Sequence, residues 1–125
     1  MKIREYFQTA KGYGVLATAD ADGRVDAAIY AVPHVIDEET IALIMVDRLT
    51  HHNLQSNPHA AYLFIEEGEP YKGKRIYLKK IREEKGGELL NSLRRKKYPE
   101  LEGKEFLVFF RVEKILPLIG AGSDP

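Results

Sequence analysis

The spacing of hydrophobic and polar residues changes several times along this chain of 125 residues. Ile3, Tyr6, Phe7 and Ala10 recur at helical spacing, which predicts a short amphipathic helix over Lys2–Lys11, ended by Gly12 and Gly14. The pattern then becomes strand-like. Tyr13–Thr18 is rich in β-formers, Ala19–Gly23 carries the hairpin signal Asp22-Gly23, and Val25–Val32 is a second strand stopped at Pro33. Val35 and Ile36 lead into a polar turn at Asp37–Thr40. Ile41–Val46 is a continuous apolar run, the signature of a strand buried on both faces. Thr50–Asn57 predicts a short helix with Thr50 as its N-cap and Pro58 beyond its end.

Beyond Pro58, Ala60–Glu66 predicts a fourth strand, and Glu67–Gly73 is a loop with glycines and a proline. Lys74–Ile81 alternates charged and apolar residues, as a half-exposed strand does. Glu83–Tyr98 predicts a helix with Leu89, Leu90 and Leu93 as its apolar stripe, weakened at its start by Gly86-Gly87. Phe106–Val112 is the sixth strand, and Lys114–Ala121 an apolar tail. Closely spaced strands joined by hairpins point to a mainly β, antiparallel barrel or sandwich. The regular βαβ alternation of a dinucleotide-binding sheet is missing, as are G-x-G-x-x-G and G-x-x-x-x-G-K.

Composition narrows the classes. Hydrophobic residues make up 44% and charged residues 30%, which suits one globular domain over 1–125 with a real core. With no cysteine, disulfides, iron–sulfur clusters, Cys-ligated zinc and thiol nucleophiles are excluded. The N-terminus lacks an apolar run of signal-peptide type, and no stretch approaches the roughly 20 apolar residues of a membrane helix. A soluble, cytoplasmic protein with no membrane contact is expected. The net charge is zero but uneven. Residues 72–98 hold 11 basic and 3 acidic side chains, whereas residues 1–71 hold 5 and 11. Such an island suits either an anionic partner or a solvated helix with a basic C-terminal end.

The stretch with most chemistry is Val46 to Pro58. A buried strand ends, Arg48 follows, and a helix opens on the Thr50 hydroxyl. The free N–H groups and positive dipole of a helix start favour an anion, and a guanidinium can fork two N–H bonds onto a phosphate. The same pattern also occurs in plain capped helices with a surface arginine.

Taken with its surroundings, the chain resembles the pyridoxamine 5'-phosphate oxidase-like family of FMN-binding split barrels. The matching features are the short N-terminal helix before Gly14-Val15-Leu16-Ala17-Thr18, the Asp20–Gly23 hairpin and the paired strands that follow. Arg48-x-Thr50-x-x-Asn53-Leu54-x-x-Asn57-Pro58-x-Ala60 completes the match. The resemblance implies a six-stranded antiparallel split β-barrel with short flanking helices, FMN as cofactor, and a homodimer with the flavin near its interface. It implies that Arg48 and Thr50 hold the phosphate, helped by the Leu49 N–H. Val46 and Asp47 would lie along the ribityl chain, and Ala28, Ile29 and Tyr30 beside the isoalloxazine. An oxidoreductase passing hydride or electrons to a small-molecule redox partner follows, with no obligatory side-chain base. Vitamin B6 oxidation itself is not expected: the second strand, Asp26–Ala31, has no basic residue, and the chain is too short for that enzyme's C-terminal segment.

Other readings remain open. A non-enzymatic FMN carrier or electron-transfer protein needs no substrate site. A deazaflavin with an anionic tail could lie along Lys72, Lys74, Arg75, Lys79 and Lys80. Haem, which some split-barrel relatives bind, would need an axial ligand from His34, His51, His52 or His59, and all four read as surface residues. A nucleic-acid-binding barrel using Arg94–Lys97 lacks an interleaved aromatic platform and is not expected. The uninterrupted runs Ile41–Val46, Tyr62–Ile65 and Phe106–Phe110 imply covered outer faces, which also favours a dimer.

Overall fold

Seven strands, one more than expected, form a single antiparallel sheet in a computed structural model that describes residues 2–120. In chain order the elements are α1 (Ile3–Thr9), β1 (Gly12–Ala19), β2 (Val25–Tyr30), β3 (His34–Asp37), β4 (Thr40–Val46) and α2 (Leu49–Ser56). They continue as β5 (His59–Glu66), β6 (Gly73–Lys85), α3 (Glu88–Leu93), a 3₁₀ turn (Pro99–Leu101) and β7 (Glu105–Pro117). The additional strand is β3, whose His34 and Val35 pair with Ala42 and Ile41. Val35-Ile36 alone is too short to announce a strand; the neighbouring β4 supplies the ladder that defines it.

The strand order is β2-β1-β5-β6-β7-β4-β3. β2 and β3 are thus opposite edges, yet only Ala31, Val32 and Pro33 join them. Tyr30 and His34 can then be no more than roughly 14 Å apart, so the sheet must roll until its edges approach. Tyr62, in the middle of the sheet, spans the interior and donates its hydroxyl hydrogen to Ala31 O at 2.7 Å. A Cβ at Gly14 would lie 2.1 Å from that tyrosine ring. Gly14 therefore belongs to β1 and makes room for Tyr62, whereas the sequence suggested a helix end. β3 pairs with β4 only as far as Ala42, and β2 pairs only with β1. The gap between β2 and the end of β4 is the split.

Leu16, Leu43, Phe64, Ile76, Leu78 and Phe110 fill the barrel, with Ile3 and Phe7 of α1 packed among them. A second, smaller core lies outside the barrel wall. There Ala42, Leu107 and Phe109 are covered by Leu90 and Leu93 of α3. This accounts for two of the long apolar runs, because β4 and β7 are buried on both sides within one chain.

The predicted helix over Glu83–Tyr98 is largely replaced. β6 continues to Lys85, pairing Glu83, Glu84 and Lys85 with Val108, Leu107 and Phe106. Gly86 and Gly87 then turn the chain at φ of 63° and 98°, a region open to glycine, and α3 lasts six residues. Arg94–Lys97 lie beyond α3, so the expected pairing of a helix dipole with a basic last turn does not exist. The register shifts between Lys80 and Arg82, and Arg82 lies over the Phe109 ring at 3.7 Å. A strand this polar reads as helix because its value comes from a neighbour's ring. The tail from Lys114 to Pro117 is likewise strand, paired with Lys74–Tyr77; Ala121 lies outside the described residues. No helix among the described residues is long and apolar enough to cross a membrane.

Candidate functional site

β4 ends at Val46, and the chain turns through Asp47 and Arg48 into α2. Arg48, with extended backbone, is the N-cap residue and makes no side-chain cap bond. Thr50 is therefore the second helical residue, not the expected N-cap. It is buried on the helix that packs against β2, near enough to the Tyr30 phenol to affect its titration. The first bond of the helix runs from His52 N–H to Arg48 O at 2.9 Å, so the N–H groups of Leu49, Thr50 and His51 open the helix toward the turn. Burial raises the Tyr30 phenol above its ordinary pKa, Asp26 adds to this, and Thr50 and Arg48 oppose it. Tyr30 thus stays protonated at neutral pH, a donor at the mouth of the split.

α2 packs against β2, so Arg48 and Thr50 lie on the side of Tyr30 although the two elements are some 20 residues apart in sequence. Ala28 shares the inner face of β2 with Tyr30. Ile29 alternates to the outer face and is 69% exposed, so only its backbone faces the same edge as its neighbours. Leu49 is exposed. Val46, Asp47 and Arg48 line a cleft of about 420 Å³ whose other wall carries Lys85, Lys104 and Phe106. Lys85 and Lys104 were not foreseen. They are distant in sequence, and the turn after β6 brings them beside Arg48.

His51, expected on the surface, is buried. Its ring stacks on Phe106 at 4.0 Å. Nδ1 lies 2.8 Å from Asp47 Oδ1, and Nε2 lies 3.0 Å from Glu83 Oε2. Gln55 Nε2 lies 3.1 Å from the same Nε2 and also donates to Glu83 Oε1 at 3.0 Å. Burial pushes the Glu83 carboxyl up, but hydrogen bonds from Lys80, Gln55 and His51 outweigh it and hold the pKa at about 2. This network ties the turn at Asp47 to β6. Asn53 supports the same helix from the other side, donating to Thr18 Oγ1 at 3.1 Å. No group of His, Asp and Glu among the described residues could hold a metal ion.

The proposed landing strip on β6 is dispersed. Arg75 Nε donates to Pro117 O at 2.9 Å, Lys80 pairs with Glu83 at 2.6 Å, and Lys74 lies over the Tyr6 ring at 5.6 Å.

No family model matches the chain, and no curated protein matches it in sequence. Solved structures do match. An FMN-binding protein from Syntrophomonas wolfei subsp. wolfei superposes with a TM-score of 0.76 at 22% identity, over 95% of this chain and 85% of that one. An F420 reductase gives 0.74 at 18%, over 89% and 94%. A putative pyridoxamine 5'-phosphate oxidase from Lactobacillus delbrueckii gives 0.69 at 15%, over 92% and 89%. The fold is that of the split barrels to which these flavin and deazaflavin proteins belong. The chain thus shares its fold with proteins described as FMN-binding, as an F420 reductase and as a putative pyridoxamine 5'-phosphate oxidase.

Proposed function

We propose that this chain is an FMN-binding flavoprotein that works as an oxidoreductase in a homodimer. The observation that carries the reading is the packing of α2 against β2, which sets Arg48, Thr50 and the open N–H groups of the helix start on the side of Tyr30. These residues are a hydrogen-bond donor, a guanidinium and a hydroxyl beside open N–H groups, a donor set that suits a phosphate with a flat ring nearby. Arg48, Thr50 and the Leu49 N–H would hold the phosphate. Val46 and Asp47 would flank the ribityl chain, and Ala28, Tyr30 and the Ile29 backbone would border the ring. Bound flavin supplies hydride or electron transfer, while the chain binds, orients and shields it.

The likeness to an FMN-binding protein supports FMN, and the likeness to an F420 reductase supports a deazaflavin as the second reading. The dispersal of the β6 cations favours the first.

FMN titration followed by fluorescence quenching tests the proposal. Arg48→Ala should weaken FMN roughly 10- to 100-fold, the loss of a charge-assisted hydrogen bond. Riboflavin, lacking the phosphate, should bind both proteins alike. Equal losses for the two ligands would remove Arg48 from the phosphate site.

A further inference from the structure

Beside Tyr30 lies a second cleft, of about 260 Å³, that shares only Tyr30 with the proposed cofactor site. Tyr30 and His34 form one side, and Arg94, Arg95, Lys96 and Tyr98 the other. Its charges do not balance. Arg94 is neutralised by Glu105, with which it forms a buried ion pair. Among the described residues, neither Arg95 nor Lys96 has a carboxylate within 4.0 Å. Arg95 is held in place, since Nη1 donates to Val32 O at 2.8 Å and its other N–H groups remain available. Lys96 stands 5.9 Å above the Tyr98 ring. His34 is half-buried, and burial together with Arg95 lowers its pKa to about 4, so it adds a neutral hydrogen-bonding edge at physiological pH. The buried Arg94 Nε–H donates to no group. Two uncompensated cations thus face a concave surface bounded by tyrosines, in a volume below the roughly 300 Å³ at which drug-sized sites begin.

We infer that this cleft is a second ligand site, for a small flat-ring carboxylate that binds with its acid group on Arg95 and Lys96 and its ring between Tyr30 and Tyr98. The inference rests on the flavin reading only in making the ligand a neighbour of the cofactor through their shared wall, Tyr30. Charge and shape together explain the composition of the Arg94–Tyr98 segment. A solvated basic loop would not need to be pinned to Val32 or to bury an ion pair beneath it. A nucleic acid would require stacking rings along an open groove, whereas this cleft is short and closed by β4 at Leu43 and Ile44.

Benzoate and its neutral counterpart benzamide are suitable probes. Each is titrated into the FMN-loaded protein while the visible flavin band is followed, and into FMN-free protein by calorimetry. Benzoate should bind at least about 10-fold more tightly than benzamide, as a charge-assisted contact requires. It should also perturb the flavin band. Arg95→Gln with Lys96→Gln should erase that preference while leaving FMN affinity within about twofold, because the changed charges lie outside the phosphate turn. If the double variant folds poorly, Lys96→Gln alone should lose part of the preference. Among the described residues its side chain makes no hydrogen bond or ion pair, only a contact with the exposed Tyr98 ring, so the fold should be kept. Equal affinities for the two probes, no benzoate binding, or a preference that survives in the double variant would overturn the assignment. A protein that never takes up FMN but prefers benzoate by calorimetry would keep this site and lose the flavin reading.

Discussion

The barrel has two apolar outer walls that meet different fates. Over β4 and β7, Ala42, Leu107 and Phe109 are sealed by Leu90 and Leu93 of α3 and by the Arg82 guanidinium. Over the outer faces of β2, β1 and β5 no helix among the described residues provides such a cover. Ile29, Val15 and Leu63 stand side by side across three strands, as do Ala27, Ala17 and Ala61. Val25 is 83% exposed and Tyr13 52%. Monomers rarely expose apolar faces of this extent. A two-fold partner would cover this one with an identical face. Continuous apolar runs and exposed apolar faces are thus separate signals. Ile41–Val46 and Phe106–Phe110 are uninterrupted because α3 covers them, whereas β2 alternates modestly and leaves its apolar side uncovered.

The contrast can be tested from both sides. Phe109→Ala, on the sealed wall, should cost about 3–5 kcal/mol of stability in chemical denaturation, the cost of a large cavity under a fixed lid. Ile29→Glu, on the open wall, should leave that stability nearly unchanged in a monomer but place two carboxylates in any two-fold contact. Sedimentation equilibrium at micromolar concentration should then show wild-type dimers and variant monomers. A wild-type monomer that still binds FMN would refute the dimer. Arg82→Ala should cost about 1 kcal/mol through lost cover of Phe109. An unchanged midpoint would assign the lid to α3 alone.

Acid titration probes the reach of β6 that only the sealed wall possesses. The Glu83 carboxyl titrates at about 2 in the folded chain, below its ordinary 4.5. The unfolded chain therefore takes up the proton first as pH falls. The stabilisation is complete above about pH 4.5 and is lost as pH drops toward 2. Glu83→Gln should flatten the stability–pH curve in that window. Burial of His34 works in the same direction at higher pH, where stability falls as pH is lowered from 6.5 to about 4. Curves of equal slope for wild type and Glu83→Gln would separate Glu83 from the acid response.

Much of the architecture was legible in the order of residues. The first two strands, the Asp22-Gly23 turn, β4, β5 and the helix opening after Arg48 follow from local period and turn chemistry, which short segments carry by themselves. The resemblance carried by Arg48-x-Thr50-x-x-Asn53-Leu54 gave the split barrel before any coordinate did. β3 and the far half of β6 were not legible, because a two-residue apolar step and a run of charged residues acquire strand geometry only from the partners beside them.

The candidate site divides in the same way. Chain order alone placed Arg48 at the end of a buried strand and before a helix, since both neighbours are written in adjacent residues. It could not show that Thr50 turns inward to Tyr30, that His51 is buried between Asp47 and Glu83, or that Lys85 and Lys104 share a cleft with Arg48. Those positions are separated by tens of residues and are joined by the rolling of the sheet and the turn at Gly86-Gly87. Local preference fixes where a strand or helix begins, while long-range pairing decides which side chains meet.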